Sequence, residues 1–161
     1  DAAIIKVIIK ILDNENIKVI SSIFFNPELT LKSGNYTKLK PSISDNSSIK
    51  KGITYFNKLN SLDHIQAVIV KGNIILATED RQGTKKMLSS LKKKSKGILI
   101  KFPKKKQDLR MDLPTIGLQT LKDCKKYGLK GIVLKSKKNI FLDKAKCISF
   151  ANKNKIFIKI I

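Results

Sequence analysis

Acidic residues are scarce in this basic chain, so the places where they occur are informative. The 161 residues include 12 Asp and Glu but 34 Lys and Arg, and only two of the basic residues are arginines. Each arginine stands near a pair of acids. The two groups are Glu79, Asp80 and Arg81, and Asp108, Arg110 and Asp112. Because arginine can bind a phosphate or a carboxylate through two parallel hydrogen bonds, both groups are candidates for a site that handles phosphate.

The segment at residues 101–117, KFPKKKQDLRMDLPTIG, combines cations with carboxylates. Its cations are Lys101, Lys104, Lys105, Lys106 and Arg110, and Gln107 adds a neutral donor and acceptor. Mg²⁺ is usually bound by one or two carboxylates together with substrate phosphate and water. A diphosphate bridged by a metal ion fits this set of residues, which includes the carboxylates of Asp108 and Asp112. A solvated loop whose acids only neutralise neighbouring lysines accounts for the same composition, and both interpretations stay open.

The second candidate is the turn at residues 79–84, which leads from a predicted strand into a predicted helix. Gly83 permits a tight turn, and Thr84 has the position of an N-cap. The free N–H groups at the start of a helix favour an anion, so this turn could hold a phosphate. An ordinary strand-to-helix turn with a capping threonine is the alternative interpretation.

Several well-marked chemistries are missing from the sequence. There is no GxxxxGK[ST] phosphate loop, and His64 is the only histidine. Metal sites built on several histidines, and Ser-His or Cys-His triads with a recognisable nucleophile motif, are therefore excluded for this chain alone. Cys124 and Cys147 fall within predicted helices, where small buried side chains are expected. Two cysteines without a disulfide pattern fit a reducing cytoplasm.

The formal net charge of +22 suggests nucleic-acid binding as a competing hypothesis, because lysine and arginine neutralise phosphates. The lysines, however, are spread along the whole chain and are not interleaved with aromatic residues on one surface. A coding bias that favours Lys, Ile and Asn explains the charge equally well. We therefore expect no nucleic-acid partner.

The spacing of apolar residues predicts an α/β fold: a mixed sheet with helices packed on it. Helices are predicted at 2–12, 52–59, 84–91, 115–127 and 143–152. Strands are predicted at 17–25, 67–70, 74–77, 98–102, 132–134, 140–142 and 156–160. Gly72 lies in the turn of a hairpin formed by the second and third of these strands. A polar stretch containing Pro27, Gly34 and Pro41 precedes the dense signals.

Three segments follow from this pattern. Residues 52–161 are predicted to form one compact α/β domain, residues 26–51 a linker, and residues 1–25 a helix followed by a strand; the family resemblance described below implies that the first is the catalytic domain and the last a remnant of an amino-terminal domain. Since the chain opens on Asp1 and at once reads as structured, we expect it to be truncated upstream.

At these residues the sequence resembles the LpxI family of lipid A biosynthesis. LDHIQAVIVKGNIILATED at 62–80 resembles the family's strand pair, and 101–117 resembles its most specific block. Ile65, Gln82 and Lys85 depart from the family pattern. The matching residues are Asp63, Gln66, Glu79, Gly83, Thr84, Lys101, Lys104, Gln107, Asp108, Arg110, Asp112, Pro114, Thr115 and Gly117. The likeness is strongest over 62–117.

The resemblance implies hydrolysis of UDP-2,3-diacylglucosamine to 2,3-diacylglucosamine 1-phosphate (lipid X) and UMP, by Mg²⁺-assisted attack of water on the diphosphate. Asp108 and Asp112 would bind metal or activate water, and Glu79 is a further candidate. Arg110 would balance phosphate charge. The implied substrate-binding residues are Lys101, Lys104, Gln107, Gly83, Thr84, Gln66 and Thr115.

The same resemblance implies a cleft between two domains, a homodimer, and a cytoplasmic location with peripheral contact at the inner face of the bacterial inner membrane. The 161 residues alone would form only one wall of such a cleft. We therefore expect little or no hydrolase activity from this chain by itself.

Overall fold

A computed structural model describes residues 2–59, 65–92, 94–104 and 107–161 of the chain. The predictions made for Asp63, His64, Lys105 and Lys106 lie outside these ranges. The helices are α1 (Ala2–Asn14), α2 (Ser22–Phe25), α3 (Ile43–Leu59), α4 (Gly83–Ser89), α5 (Leu118–Lys126) and α6 (Lys144–Lys153). The strands are β1 (Gly34–Asn35), β2 (Ala67–Lys71), β3 (Ile74–Thr78), β4 (Ile98–Lys101), β5 (Thr115–Ile116), β6 (Gly131–Leu134), β7 (Ile140–Phe141) and β8 (Phe157–Ile160).

Six of the strands form one mixed sheet in the order β1-β8-β6-β4-β2-β3. Strands β4, β6 and β8 are parallel, whereas β2 runs antiparallel to both β3 and β4, and β1 runs antiparallel to β8. Strands β5 and β7 form a separate parallel pair. The predicted α/β class with a mixed sheet and packed helices is therefore confirmed.

Helices cover both faces of the sheet, which explains why β4 and β6 are apolar at nearly every position. On one face, Phe56 and Ile49 of α3 pack with Val68, Val70 and Ile100. On the other face, α4, α5 and α6 supply the buried residues Met87, Leu88, Leu121, Cys124, Cys147 and Ala151. The prediction that both cysteines are small buried side chains is confirmed.

The predicted strand at 17–25 is wrong. Residues 17–21 lie in no strand, and residues 22–25 form the short helix α2, whose Phe24 and Phe25 are exposed. A strand needs a neighbouring strand to take its backbone hydrogen bonds, and none pairs with this segment in the described part of the chain. An apolar pattern alone does not supply that neighbour.

The polar stretch 26–51, which was predicted to be a linker, includes regular structure. It contains a short 3₁₀ turn at Pro27–Leu29, strand β1, and the first half of α3, so the helix predicted at 52–59 begins nine residues earlier. Asp45 is the acidic residue in the first turn of α3. Its Oδ2 accepts from Ser42 N–H and from Ser42 Oγ, and its own N–H donates to Ser42 Oγ. This reciprocal cap fixes the helix start. The division of the chain into domains stays a prediction.

Two predicted caps are also wrong. Helix α4 has Gln82 at its N-cap, and Thr84 lies one residue inside the helix. Helix α5 begins only at Leu118, with Gly117 at the N-cap, because Thr115 is drawn into the β5–β7 pairing. Asp143 does precede α6, as predicted, but its side chain makes no capping hydrogen bond.

Within the described residues, no helix combines the length and the apolarity that crossing a membrane requires.

Candidate functional site

The loops that follow β4 and β6 meet at one edge of the sheet, because carboxyl ends of neighbouring parallel strands lie side by side. In α/β sheets such an edge is the usual ligand-binding position. Asn139 ties the two loops together: its Nδ2 donates to Lys101 O at 3.2 Å, and its Oδ1 accepts from Lys135 N–H at 2.9 Å. Asn139 is only 3% exposed. Sequence reasoning missed it, since a single Asn in a polar turn carries no distinguishing pattern.

A buried carboxylate, Glu79, lies at the end of β3 and is 6% exposed. Its Oε2 accepts from Gln66 N–H at 2.7 Å, and its Oε1 accepts from the Thr84 hydroxyl at 2.5 Å. Lys101 Nζ in turn donates to Thr84 Oγ1 at 3.0 Å. Glu79 thus joins the entrance of β2 to the start of α4 and brings a cation to the same place.

The Lys101 ammonium is held in this partly buried network. Burial lowers the pKa of Lys101 below its usual value, and the negative charge of Glu79 opposes part of that effect. Four predicted residues, Gln66, Glu79, Thr84 and Lys101, are therefore in one contact network. The hydroxyl of Thr84 serves here as a link between the cation and the acid, rather than as a helix cap.

The turn before α4 offers less to an anion than its sequence suggested. Gln82 N–H donates to the Asp80 carboxylate at 2.8 Å, and Gly83 N–H donates to Asp80 O at 3.1 Å. Asp80 therefore occupies part of the donor set that a phosphate would use. Gly83 does adopt a φ of +82°, which explains the glycine at this position.

The loop at 107–112 is organised by an ion pair between two of its own residues. Arg110 Nε lies 3.0 Å from Asp108 Oδ1, and Arg110 Nη2 lies 2.8 Å from Asp108 Oδ2. The hydrogen bond from Arg110 lowers the pKa of Asp108, and the same contact raises the pKa of Arg110. The arginine does use fork geometry, but its partner here is a loop carboxylate. This pairing favours the charge-neutralising interpretation for Asp108.

The amino-terminal segment reaches this loop. Ser21 Oγ donates to Leu109 O at 3.1 Å, and the charge of Asp13 in α1 adds a smaller contribution to the raised pKa of Arg110. The loop is thus bordered by residues that precede α3.

Asp112 differs from Asp108, because its carboxylate takes part in no hydrogen bond or ion pair with the described residues. Its backbone N–H donates to Asp108 O at 2.9 Å. Across the described ranges, no three His, Cys, Asp or Glu residues are grouped as metal ligands. The donor set therefore fits a Mg²⁺ ion that takes one carboxylate, Asp112, with the remaining positions left to phosphate oxygens and water. Asp108 could join only by giving up Arg110.

A cleft of about 330 Å³ opens at the same edge of the sheet, and we call it the α3 cleft. One wall is α3, and the other is formed by the loops after β4 and β6. It is lined by Ile53, Phe56, Asn57, Phe102, Pro103, Lys104, Gln107, Leu109, Lys135, Lys138 and Ile161. Two predicted residues, Lys104 and Gln107, belong to it. A larger hollow of about 560 Å³ beside Tyr36 contains none of the predicted site residues.

Most of the predicted residues fall into three groups, the Glu79 network, the Asp108–Arg110 pair and the α3 cleft, whereas Gly83 and Asp112 belong to none of them. No hydrogen bond or ion pair between described side chains connects the Glu79 network with Asp108, Arg110 or Asp112. Thr115 belongs to none of the three groups, since it is exposed and its hydroxyl donates to Leu113 O. Lys135, Lys138 and Asn139 belong to this edge of the sheet but were not predicted.

The mixed sheet and its packed helices define an α/β domain, with a cleft at the sheet edge where such domains usually bind ligands. The chain belongs to the LpxI C-terminal domain family, whose model matches residues 32–159. It is also similar to "UDP-2,3-diacylglucosamine pyrophosphatase LpxI" of Caulobacter vibrioides (strain ATCC 19089 / CIP 103742 / CB 15), at 27% identity over 168 aligned residues. That similarity covers 98% of this chain and 60% of the relative, so the chain spans less than two thirds of the relative's length.

Proposed function

We propose that this chain is part of an enzyme that hydrolyses the diphosphate bond of UDP-2,3-diacylglucosamine, giving 2,3-diacylglucosamine 1-phosphate and UMP in lipid A biosynthesis. Membership of the LpxI C-terminal domain family supports the proposal, as does the name of the Caulobacter relative. The structural observation that carries it is the free carboxylate of Asp112 on the loop that borders the basic edge of the sheet.

The chain's own groups have distinct tasks in this proposal. Asp112 accepts a proton from the attacking water or binds Mg²⁺, because its carboxylate has no hydrogen-bond or ion-pair partner among the described residues. Arg110 and Lys104 offset the charge of the diphosphate, with Arg110 exchanging Asp108 for phosphate. Lys101 is kept in place by Thr84 and Glu79 and supplies a further cation. A bound Mg²⁺ would act as a Lewis acid on the diphosphate oxygens.

Substitution of the two aspartates tests the proposal. In a protein of the relative's full length, Asp112→Asn should lower the rate of UMP release by about a hundredfold or more, because a general base or metal ligand is lost. Asp108→Asn should have a smaller effect, since Asp108 is paired with Arg110. Asp143→Asn is the matched control, because Asp143 is an exposed acid on α6's N-cap. Circular dichroism checks that each variant is folded.

Turnover at the wild-type rate in both Asp108→Asn and Asp112→Asn would contradict the assignment. Activity that survives complete removal of Mg²⁺ by a chelator would contradict the metal's part in it.

Nucleic-acid binding is the alternative that the net charge suggests. It predicts an affinity that falls steeply with salt and is indifferent to Asp112. A filter-binding titration with an oligonucleotide at two salt concentrations separates the two hypotheses.

We further propose a homodimer, a cytoplasmic location with peripheral contact at the inner membrane, and low activity of the 161 residues alone. Since the relative is longer, groups outside the matched part are expected to contribute to its cleft. Sedimentation of the full-length protein and an activity comparison between it and the 161-residue chain test these statements. Equal specific activities would contradict the last of them.

A further inference from the structure

We propose that the α3 cleft is a phosphate-binding subsite, in which the Lys135 ammonium and the side-chain amide of Gln107 hold the phosphate. The inference deepens the proposed function and rests on it for one point only, namely that the phosphate belongs to a diphosphate substrate. Lys135 was not among the residues that the sequence singled out.

The charge of the cleft is the first argument. Three lysines line it, Lys104, Lys135 and Lys138, and its lining includes no Asp or Glu. None of the three takes part in an ion pair among the described residues, where the ion pairs are Arg110–Asp108, Lys130–Asp45 and Lys146–Asp143. The nearest acid in sequence, Asp108, is already neutralised by Arg110. An uncompensated group of cations in a concave site attracts an anion.

The position of Lys135 is the second argument. Its backbone N–H donates to Asn139 Oδ1, and its ammonium lies 5.7 Å from the centre of the Phe102 ring. Phe102 is itself buried, and its N–H donates to Gln66 O at 2.9 Å. The lysine is thus held both at its backbone and along its side chain. A cation ordered before binding loses less conformational entropy when it takes up a ligand.

The side chain of Gln107 is the third argument. Its Oε1 accepts from Lys104 N–H at 2.9 Å, which fixes the orientation of the amide, since only the oxygen can accept. The Nε2 group is then a buried donor, and it has no acceptor among the described residues. Buried donors are nearly always paired in folded proteins. Gln107 lines the cleft, and its amide would have to turn towards the cleft for a ligand oxygen to satisfy this donor.

The walls of the cleft are the fourth argument. Phe56 of α3 packs edge to face on Phe102, with ring centroids 5.5 Å apart, and Ile53, Pro103 and Leu109 also line the cleft. These apolar side chains limit the access of water and strengthen the interaction of the lysines with an anion. Asn139 adds to the effect, because it fixes the loop after β6 against the end of β4.

A titration of the ¹⁵N-labelled 161-residue chain with inorganic pyrophosphate tests the subsite. We expect chemical-shift changes at the Gln107 side-chain amide and at the backbone amides of Lys104, Lys135 and Asn139. Lys135→Met keeps an apolar stem over Phe102 and removes the charge, so the affinity should fall about tenfold. Lys122→Met is the matched control, because Lys122 is exposed on α5 at the other face of the sheet. Its affinity should stay within about twofold of wild type.

Equal affinities of Lys135→Met and the wild-type chain would overturn the proposal. So would shift changes confined to residues 82–86, where Lys85 and Lys86 line a different hollow. Gln107→Met serves as a second variant, and it should weaken pyrophosphate binding while the thermal unfolding midpoint confirms that the chain is folded. Wild-type binding by a folded Gln107→Met chain would also contradict the assignment of the amide.

Two further measurements separate this inference from the proposed function. If the full-length protein binds pyrophosphate through Lys135 but does not hydrolyse UDP-2,3-diacylglucosamine, the proposed function fails and the subsite stands. If it hydrolyses the substrate with an unchanged KM in Lys135→Met, the subsite is overturned and the function stands. Orthophosphate that competes with pyrophosphate in wild type but not in Lys135→Met would support a general phosphate site.

Discussion

Glu79 shows how a residue that was predicted from its chemistry acquires a different role from its surroundings. Both of its carboxylate oxygens are occupied, one by Gln66 N–H and the other by the Thr84 hydroxyl. A carboxylate that is 6% exposed and already accepts at both oxygens is poorly placed to bind a metal or to activate water, because little of it can be reached from solvent. The contacts favour a positioning role, in which Glu79 orders Thr84 and partly offsets the burial of Lys101.

This positioning role makes a prediction about Lys101. In Glu79→Gln the amide oxygen can still accept from Gln66 N–H and the NH2 group can donate to Thr84 Oγ1, but the negative charge is gone, so the pKa of Lys101 should fall further below its usual value. A pH titration of the Lys101 side-chain ¹³Cε resonance measures the change. Asp80→Asn is the matched control, since Asp80 is the next residue and is exposed. An unchanged Lys101 pKa in Glu79→Gln would show that the carboxylate charge does not act on the lysine.

For Arg110, the sequence predicted the geometry of the interaction but not the partner, which is Asp108. The reasoning that arginine was chosen for its fork geometry is consistent with the two contacts to Asp108. Sequence could not tell whether the partner of the fork would be a ligand or a neighbouring acid, because the loop backbone decides which oxygen comes within reach. The loop backbone also leaves the Asp112 carboxylate without a partner among the described residues, and the sequence could not show this either.

At the scale of elements, the buried strands were the most predictable part of the fold. β2, β4, β6 and β8 are nearly continuous apolar runs, and the β2–β3 hairpin has Gly72 at a φ of +55° in its turn. Each of these signals is local. The amino-terminal half of α3 was missed because Ser44, Asn46 and Ser47 are polar residues typical of loops. Its helix is held by tertiary contacts, which a single sequence does not display.

Asp45 makes a tertiary contact that holds the amino-terminal half of α3. It caps α3 through Ser42 and also accepts from Lys130 Nζ at 2.6 Å, although only 7% of the residue is exposed. Asp45→Asn should lower the free energy of unfolding at pH 7 by about 2 kcal/mol, because a charge-assisted hydrogen bond at a nearly buried site is lost. Asp143→Asn, in an exposed pair with Lys146, should change it by less than about 0.5 kcal/mol. Urea denaturation measures both.

The Asp45 contribution also has a defined pH dependence. Burial alone would raise the pKa of Asp45, but the hydrogen bonds from Lys130 and Ser42 outweigh burial and lower the pKa. A carboxyl whose pKa is lower in the folded state stabilises the fold above its unfolded pKa, about 3.9, and that stability is lost as the pH falls through the folded value. The difference between wild type and Asp45→Asn should therefore shrink below about pH 4. A constant difference down to pH 2 would contradict this assignment.

The close contact of α3 with the sheet is set by Gly52. A Cβ at this position would lie 2.4 Å from Ile100 Cδ1 and 3.0 Å from Val70 Cγ1. Gly52→Ala should therefore destabilise the chain by about 1–2 kcal/mol, even though alanine favours a helix by about 1 kcal/mol over glycine. Lys51→Ala, at the neighbouring exposed position, should be neutral or slightly stabilising. Thermal unfolding of both variants measures the change in stability. A stabilised Gly52→Ala chain would show that Ile100 can move away from the new methyl group without loss of stability.

The candidate site was less predictable than the fold. Sequence pointed to Lys104, Gln107 and the aspartates because they stand within one segment. Lys135, Lys138 and Asn139 follow a different strand, and only the parallel pairing of β4 with β6 brings them to the same edge. In a chain with so many lysines, nothing in the sequence distinguishes Lys135 from the others. The α3 wall of the cleft was not predicted either, because the position of α3 depends on tertiary contacts, which a single sequence does not display.

At the scale of the whole molecule, the net charge of +22 is poorly balanced. The three ion pairs between described residues are Arg110–Asp108, Lys130–Asp45 and Lys146–Asp143, so most of the described lysines have no ion-pair partner among these residues. Self-repulsion of this kind destabilises a compact state. Added salt screens it over a Debye length that shortens to about 10 Å at 0.1 M.

We therefore expect the free energy of unfolding to rise when NaCl increases from about 20 mM to about 300 mM, and to change little beyond that range. Chemical denaturation in urea at several salt concentrations measures this, because urea itself is uncharged. A steady rise up to about 2 M would instead indicate a general salting-out effect on apolar surface. No rise at low salt would show that the positive charges are far enough apart to be independent.

The position of β8 between β1 and β6 has a consequence for the order of folding. Thr37, just after β1, accepts from Ile158 N–H across 121 residues of sequence, and Gly34 lies opposite Ile160. β1 therefore has no strand to pair with until a segment made more than a hundred residues later leaves the ribosome. Contacts so distant in sequence close slowly, and an unpaired strand edge invites association with other chains. During synthesis, β6 must wait with one edge open for the strand that will separate it from β1.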